Sequence, residues 1–110
     1  MQRTVPAPGR QRPQPLGEMP EVLLDLEWPD GHHSRLYSPS TVVLEHLPPG
    51  SAFSVAELRE AGLRALAAAS ERVRARYGFA CTRTDEEAAA LRRLSARYDD
   101  QARVMVRGPL

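Results

Sequence analysis

Apolar and polar residues take turns along the first conspicuous segment of the chain. Val22, Leu24, Leu26 and Trp28 alternate with Glu21, Leu23, Asp25 and Glu27. A period of two with one half-polar face predicts a strand lying against a core. Pro29-Asp30-Gly31 follows as a turn, because proline presets φ and glycine accepts positive φ. Residues 33–37, HSRLY, then read as a second, short strand that completes a β-hairpin.

Beyond the hairpin the period changes. Ser38-Pro39-Ser40-Thr41 opens a short helix expected to reach Leu47, with Ser38 as N-cap and Pro39 in the first helical position. Pro48-Pro49-Gly50 stops it. Ser54-x-x-Glu57 is a capping box that opens the longest element, about 55–77. Val55, Leu58, Gly62, Leu66, Ala69, Val73 and Tyr77 hold helical spacing there, and Gly78 is placed to end the helix. Thr84-x-x-Glu87 reads as a second capping box, for a helix over about 85–98 carrying Ala88, Leu91, Leu94 and Tyr98 on one side. Residues 102–107, ARVMVR, alternate again and make a third strand. The order β-β-α-α-α-β defines an α+β fold: a small three-stranded, antiparallel-type sheet with helices packed on one face.

Composition adds a boundary. Residues 1–19 hold four prolines, two glycines and three glutamines, with little to bury, so they read as a disordered proline-rich tail before one α+β domain at 20–110. Met19-Pro20-Glu21 is a natural second start, which would make residues 1–18 a mis-annotated extension. The 110 residues suffice for one domain and not for two.

Charge and cysteine content narrow the function classes. All fifteen basic residues are arginine. The first twenty residues carry a net +2 and the remainder −1. A near-neutral domain lacks the basic footprint of a nucleic-acid binder. No apolar run approaches the ~20 residues needed to span a bilayer, and no apolar stretch follows the N-terminal arginines as in a secretory signal. The single cysteine, Cys81, cannot form an internal disulfide and reads as a reducing, cytoplasmic setting.

Each candidate for chemistry has an ordinary structural explanation beside it. His32 and His33 sit at the hairpin turn and point to opposite faces; with no cysteine or HxxxH partner they read as solvated turn residues, so no metal is expected. Cys81 lies near Arg76, Arg83 and the start of the third helix, which could favour a thiolate, although a lone cysteine more commonly fills space. Ser38, Ser40 and Thr41 surround a helix N-terminus, an intrinsic anion site, yet capping accounts for the same residues. Arg72, Arg74 and Arg76 complement the dipole at the end of the long helix, and only Arg72 and Arg76 share a face. Leu23 on the outer sheet face points to a partner surface or a homodimer.

Three segments carry a family resemblance. They are Met19-Pro20-Glu21 leading to Trp28-Pro29-Asp30-Gly31, then Tyr37-Ser38-Pro39-Ser40-Thr41-Val42-Val43, then Ala69 through Cys81, ASERVRARYGFAC. Over about 19–107 the chain resembles the mycobacterial-type nitrogen starvation response proteins, short bacterial proteins without assigned catalytic residues. The resemblance implies a cytoplasmic protein encoded beside a nitrilase. The neighbours it implies are similar to a radical-SAM protein, an acetyltransferase, an aminoimidazole-ribotide-synthase-like protein and a flavin oxidoreductase. It also implies a part in nitrile or cyanide nitrogen use. The resulting expectation is a non-catalytic accessory or interaction protein of a nitrogen-starvation pathway, without cofactor. Its candidate ligand or partner surface is Tyr37, Ser38, Ser40, Thr41, Arg76, Tyr77 and Cys81. The alternative is a small enzyme or ligand-binding protein using Cys81 or the Ser38–Thr41 helix start.

Overall fold

Alternation at 22–28 becomes strand β1 (Val22–Glu27), and the Pro29-Asp30-Gly31 turn delivers the chain into β2 (His33–Ser38). Gly31 takes φ +87°, as the turn requires. The computed structural model describes residues 20–110; the tail expectation for residues 1–19 lies outside them. The remaining elements are a single helical turn α1 (Val43–His46), β3 (Ala52–Ser54), the long helix α2 (Val55–Tyr77), α3 (Thr82–Ser95) and β4 (Arg103–Pro109). The fold is α+β, with an antiparallel sheet in the order β2-β1-β4-β3.

The sheet has four strands where the sequence reading expected three. The addition is β3, a three-residue strand paired to the far side of β4 with Phe53 opposite Val104. A three-residue strand has too little alternation to be seen as a period. It also runs directly into α2, whose capping box hides it: Ser54 is both the last strand residue and the N-cap. The Ser54 Oγ accepts from the Glu57 N–H at 3.1 Å, and the Ser54 N–H donates to Glu57 Oε1 at 2.9 Å.

The helices cover one face of the sheet. Leu24 and Leu26 from β1, Trp28 just after it, and Val104 and Val106 from β4 meet Leu58, Leu66 and Leu91 from the helices in one core. Burying such a side chain contributes about 1.5–3 kcal/mol each. The α2–α3 contact is close because Gly62 leaves room for Leu91; a Cβ at Gly62 would lie 2.6 Å from Leu91 Cδ2. Trp28 anchors the far end of the hairpin. Its indole N–H donates to Ser34 Oγ at 2.8 Å, and its ring stacks on Tyr98 at 5.3 Å. The Tyr98 hydroxyl donates in turn to Asp30 Oδ1 at 2.9 Å, fastening the segment after α3 to the hairpin turn.

Two helix starts differ from expectation for the same reason, that hydroxyl and carboxylate groups found other partners, and the third helix ends at Ser95, short of the expected 98. The helix expected from Ser38 shrinks to one turn. The Ser38 hydroxyl donates to the Ser40 carbonyl at 2.6 Å and accepts from the Ser40 N–H at 3.1 Å, while Ser40 Oγ accepts from the Val42 N–H at 3.2 Å. These local bonds offer the backbone an alternative to helix. The third helix starts at Thr82 instead of Asp85, so the Thr84–Glu87 capping box does not form. The Thr84 hydroxyl donates back to the Cys81 carbonyl at 2.7 Å.

Candidate functional site

The expected surface residues divide into three groups. Tyr37, Tyr77 and Cys81 come together around one hollow of about 230 Å³, whose other walls are Glu21, Pro39, Val73 and Phe79. Ser38 and Ser40 are buried beside it, with their hydroxyls committed to the turn described above. Thr41 and Arg76 are exposed and do not line it.

Four segments build the hollow. The first is the approach to β1, which supplies Glu21. The second is the end of β2, which supplies Tyr37 and Pro39. The third is the last turn of α2, with Val73 and Tyr77. The fourth is the loop to α3, with Phe79 and Cys81. That loop turns sharply because Gly78 takes φ +82° and its N–H donates to the Arg74 carbonyl at 2.8 Å. An apolar residue just past such a glycine commonly packs back onto the helix. Phe79 instead remains 62% exposed, its ring 5.9 Å from that of Tyr77, itself 39% exposed. Leu23, opposite Tyr37 in the β1–β2 register, and Leu110, whose N–H donates to the Leu23 carbonyl at 2.8 Å, carry the exposed apolar surface onto the outer sheet face.

Tyr37 is the centre of a polar set. Its hydroxyl donates to Glu21 Oε2 at 3.0 Å, and its ring lies under the Arg83 guanidinium, 4.0 Å from the ring centroid. Its backbone N–H donates to Glu87 Oε1 at 3.1 Å, and the other oxygen of Glu87 is 3.5 Å from Arg83 Nε. Burial pushes the Tyr37 phenol up to about 12, with the hydrogen bond and charge of Glu21 adding to it. Glu87 thus covers part of the free edge of β2 and ties the start of α3 to it. Sequence reading had assigned this carboxylate to a cap, and nothing in its spacing shows the bond to a strand fifty residues away.

Glu21, Pro39, Val73 and Phe79 were missed as site residues. Phe79 carried a usable signal, being a large aromatic after a helix-ending glycine. The others had none, since their part in the hollow depends on tertiary placement. On the outer sheet face His33 Nδ1 lies 2.9 Å from Asp25 Oδ1. Among the described residues no group of three or more His, Cys, Asp and Glu could hold a metal. No helix of these residues is long and apolar enough to cross a membrane.

No curated protein and no solved structure is significantly similar to the chain. Residues 23–108 match a family described as nitrogen starvation-induced protein NitG.

Proposed function

The chain belongs to the family of nitrogen starvation-induced protein NitG, and on that premise we propose that it is a non-catalytic accessory protein that docks a partner over the aromatic hollow. The observation that carries this reading is the exposure of Tyr77 and Phe79 beside the half-buried Tyr37. Aromatic side chains at a hollow's rim supply large contact area at low conformational cost, and such residues dominate interface energetics. The partners proposed are cytoplasmic proteins, first among them the products of the nitrilase gene cluster that the family resemblance implies.

A second reading rests on the place of Cys81, whose side chain lines the same hollow. In it the thiol acts on a small ligand. We favour Cys81 over the Ser38–Thr41 form of that reading, because Ser38 and Ser40 are buried and bonded within their own turn.

Affinity capture from nitrogen-starved cells separates the two readings. The wild type and Cys81→Ala are expected to retain the same stoichiometric partner, and Tyr77→Ser/Phe79→Ser to lose it while keeping its helical circular dichroism. Retention by the aromatic variant would refute docking at this surface, and loss with Cys81→Ala would favour the thiol.

A further inference from the structure

The wall of the hollow has a marked chemical bias. Three aromatic rings, Tyr37, Tyr77 and Phe79, bound it, and among the described residues the one acidic side chain in its wall is Glu21. Ring faces carry negative potential and attract cations. Glu21 uses Oε2 to accept from the Tyr37 hydroxyl, and no ion pair among the described residues involves it. Arg83 is already placed over the Tyr37 ring and beside Glu87. It demonstrates that this ring accepts a guanidinium, and its own charge is offset by Glu87.

Resting on the docking reading above, we infer that the hollow receives an arginine side chain of a protein partner, its guanidinium set among the rings and paired with Glu21. Size and shape favour a side chain over a free small molecule. The volume of about 230 Å³ lies below the ~300–1,000 Å³ usual for small-molecule sites. The rim is open, with Phe79 standing out of it, as suits a residue inserted from a surface laid across the top. A planar guanidinium both stacks on rings and pairs with a carboxylate, which a lysine ammonium does not do in the same geometry.

The test is a titration of the ¹⁵N-labelled full chain with a blocked Gly-Arg-Gly peptide, followed by amide shifts. The citrulline analogue, isosteric and uncharged, is the control. The arginine peptide is expected to move the amides of Tyr37, Tyr77, Phe79 and Cys81 with a Kd of about 1 mM, as befits one side chain. Citrulline is expected to bind at least about fivefold more weakly, and Glu21→Gln to weaken the arginine peptide by about tenfold. Equal binding of citrulline, or unchanged binding to Glu21→Gln, would overturn the inference. So would tighter binding of free propylguanidinium than of the peptide, which would assign the hollow to a small cation. If the captured partner depends on Tyr77 and Phe79 while the arginine peptide moves no amide, docking stands and the arginine inference falls.

Discussion

Replacing Glu87 tests how the hollow is held together. This carboxylate accepts from the Tyr37 N–H at 3.1 Å and faces Arg83 at 3.5 Å, with only 19% of its side chain exposed. A hydrogen bond to a charged group contributes about 1.5–3 kcal/mol. The Arg83 pair adds little, since Arg83 is half exposed and such pairs contribute about 0–1 kcal/mol. Alanine recovers a few tenths of a kcal/mol through helix propensity. Glu87→Ala is therefore expected to destabilise the fold by about 1–3 kcal/mol, or about 4–24 °C in Tm for a folded region of this size. Glu87→Gln keeps an oxygen acceptor without the charge and should lose about half as much. Urea unfolding reads both as shifts in midpoint at constant slope. Amide exchange adds a local check, because Tyr37 should lose protection in Glu87→Ala while β1 and β4 keep theirs. A loss below about 0.5 kcal/mol for alanine would mean that water replaces the carboxylate without penalty. A glutamine variant as unstable as alanine would show that charge alone matters. Either result would refute the view that this bond fastens α3 to β2.

Three further outcomes follow from the packing. Tyr37 should titrate near 12 by phenolate absorbance, and Glu21→Gln should bring it down only part of the way, since burial is the larger cause. A raised phenol favours the fold below the ordinary value near 10, so stability should fall as pH rises from about 10 to 12. At the acid end, the His32 N–H and the Tyr98 hydroxyl hold the Asp30 carboxyl below its usual range; its contribution is present above about 3.9 and lost as pH falls further. Tyr98→Phe should raise the Asp30 titration midpoint seen by carbonyl NMR. Gly62→Val should destabilise by about 1–3 kcal/mol in thermal unfolding, because its side chain enters space that the buried Leu91 occupies.

The parts of the fold legible in the sequence are those whose period is long enough to register. β1 and the Trp28 that follows it show four inward positions, and α2 shows six turns of apolar spacing opened by a capping box that the structure contains. β3 was illegible because three residues carry no period, and because its last residue doubles as the cap of α2. The α3 boundary was misread for another reason. Thr84 and Glu87 have the spacing of a cap, but spacing cannot tell whether a carboxylate will bond its own helix or the edge of a distant strand.

The candidate site follows the same division. Tyr37, Tyr77 and Cys81 were named as polar residues in segments that carry the family resemblance, and the fold brings these three to one hollow. Ser38, Ser40, Thr41 and Arg76 were named on the same ground and fall outside its wall, two of them buried in a turn and two exposed. Glu21 stands at the start of β1 and reaches the hollow only because Val22 pairs with Ser38, which sets it diagonally beside Tyr37. Phe79 was overlooked because an aromatic after a helix stop is usually taken as packing, and here it is largely exposed.

The central claim, that the aromatic rim is where this protein meets its partner, is tested most directly by photo-crosslinking in nitrogen-starved cells. A benzophenone amino acid placed at Phe79 should give one discrete adduct, identifiable by mass spectrometry, and the same probe at the exposed Arg93 on α3 should give none. An adduct at Arg93 with none at Phe79 would contradict the claim and move the working surface elsewhere on the fold.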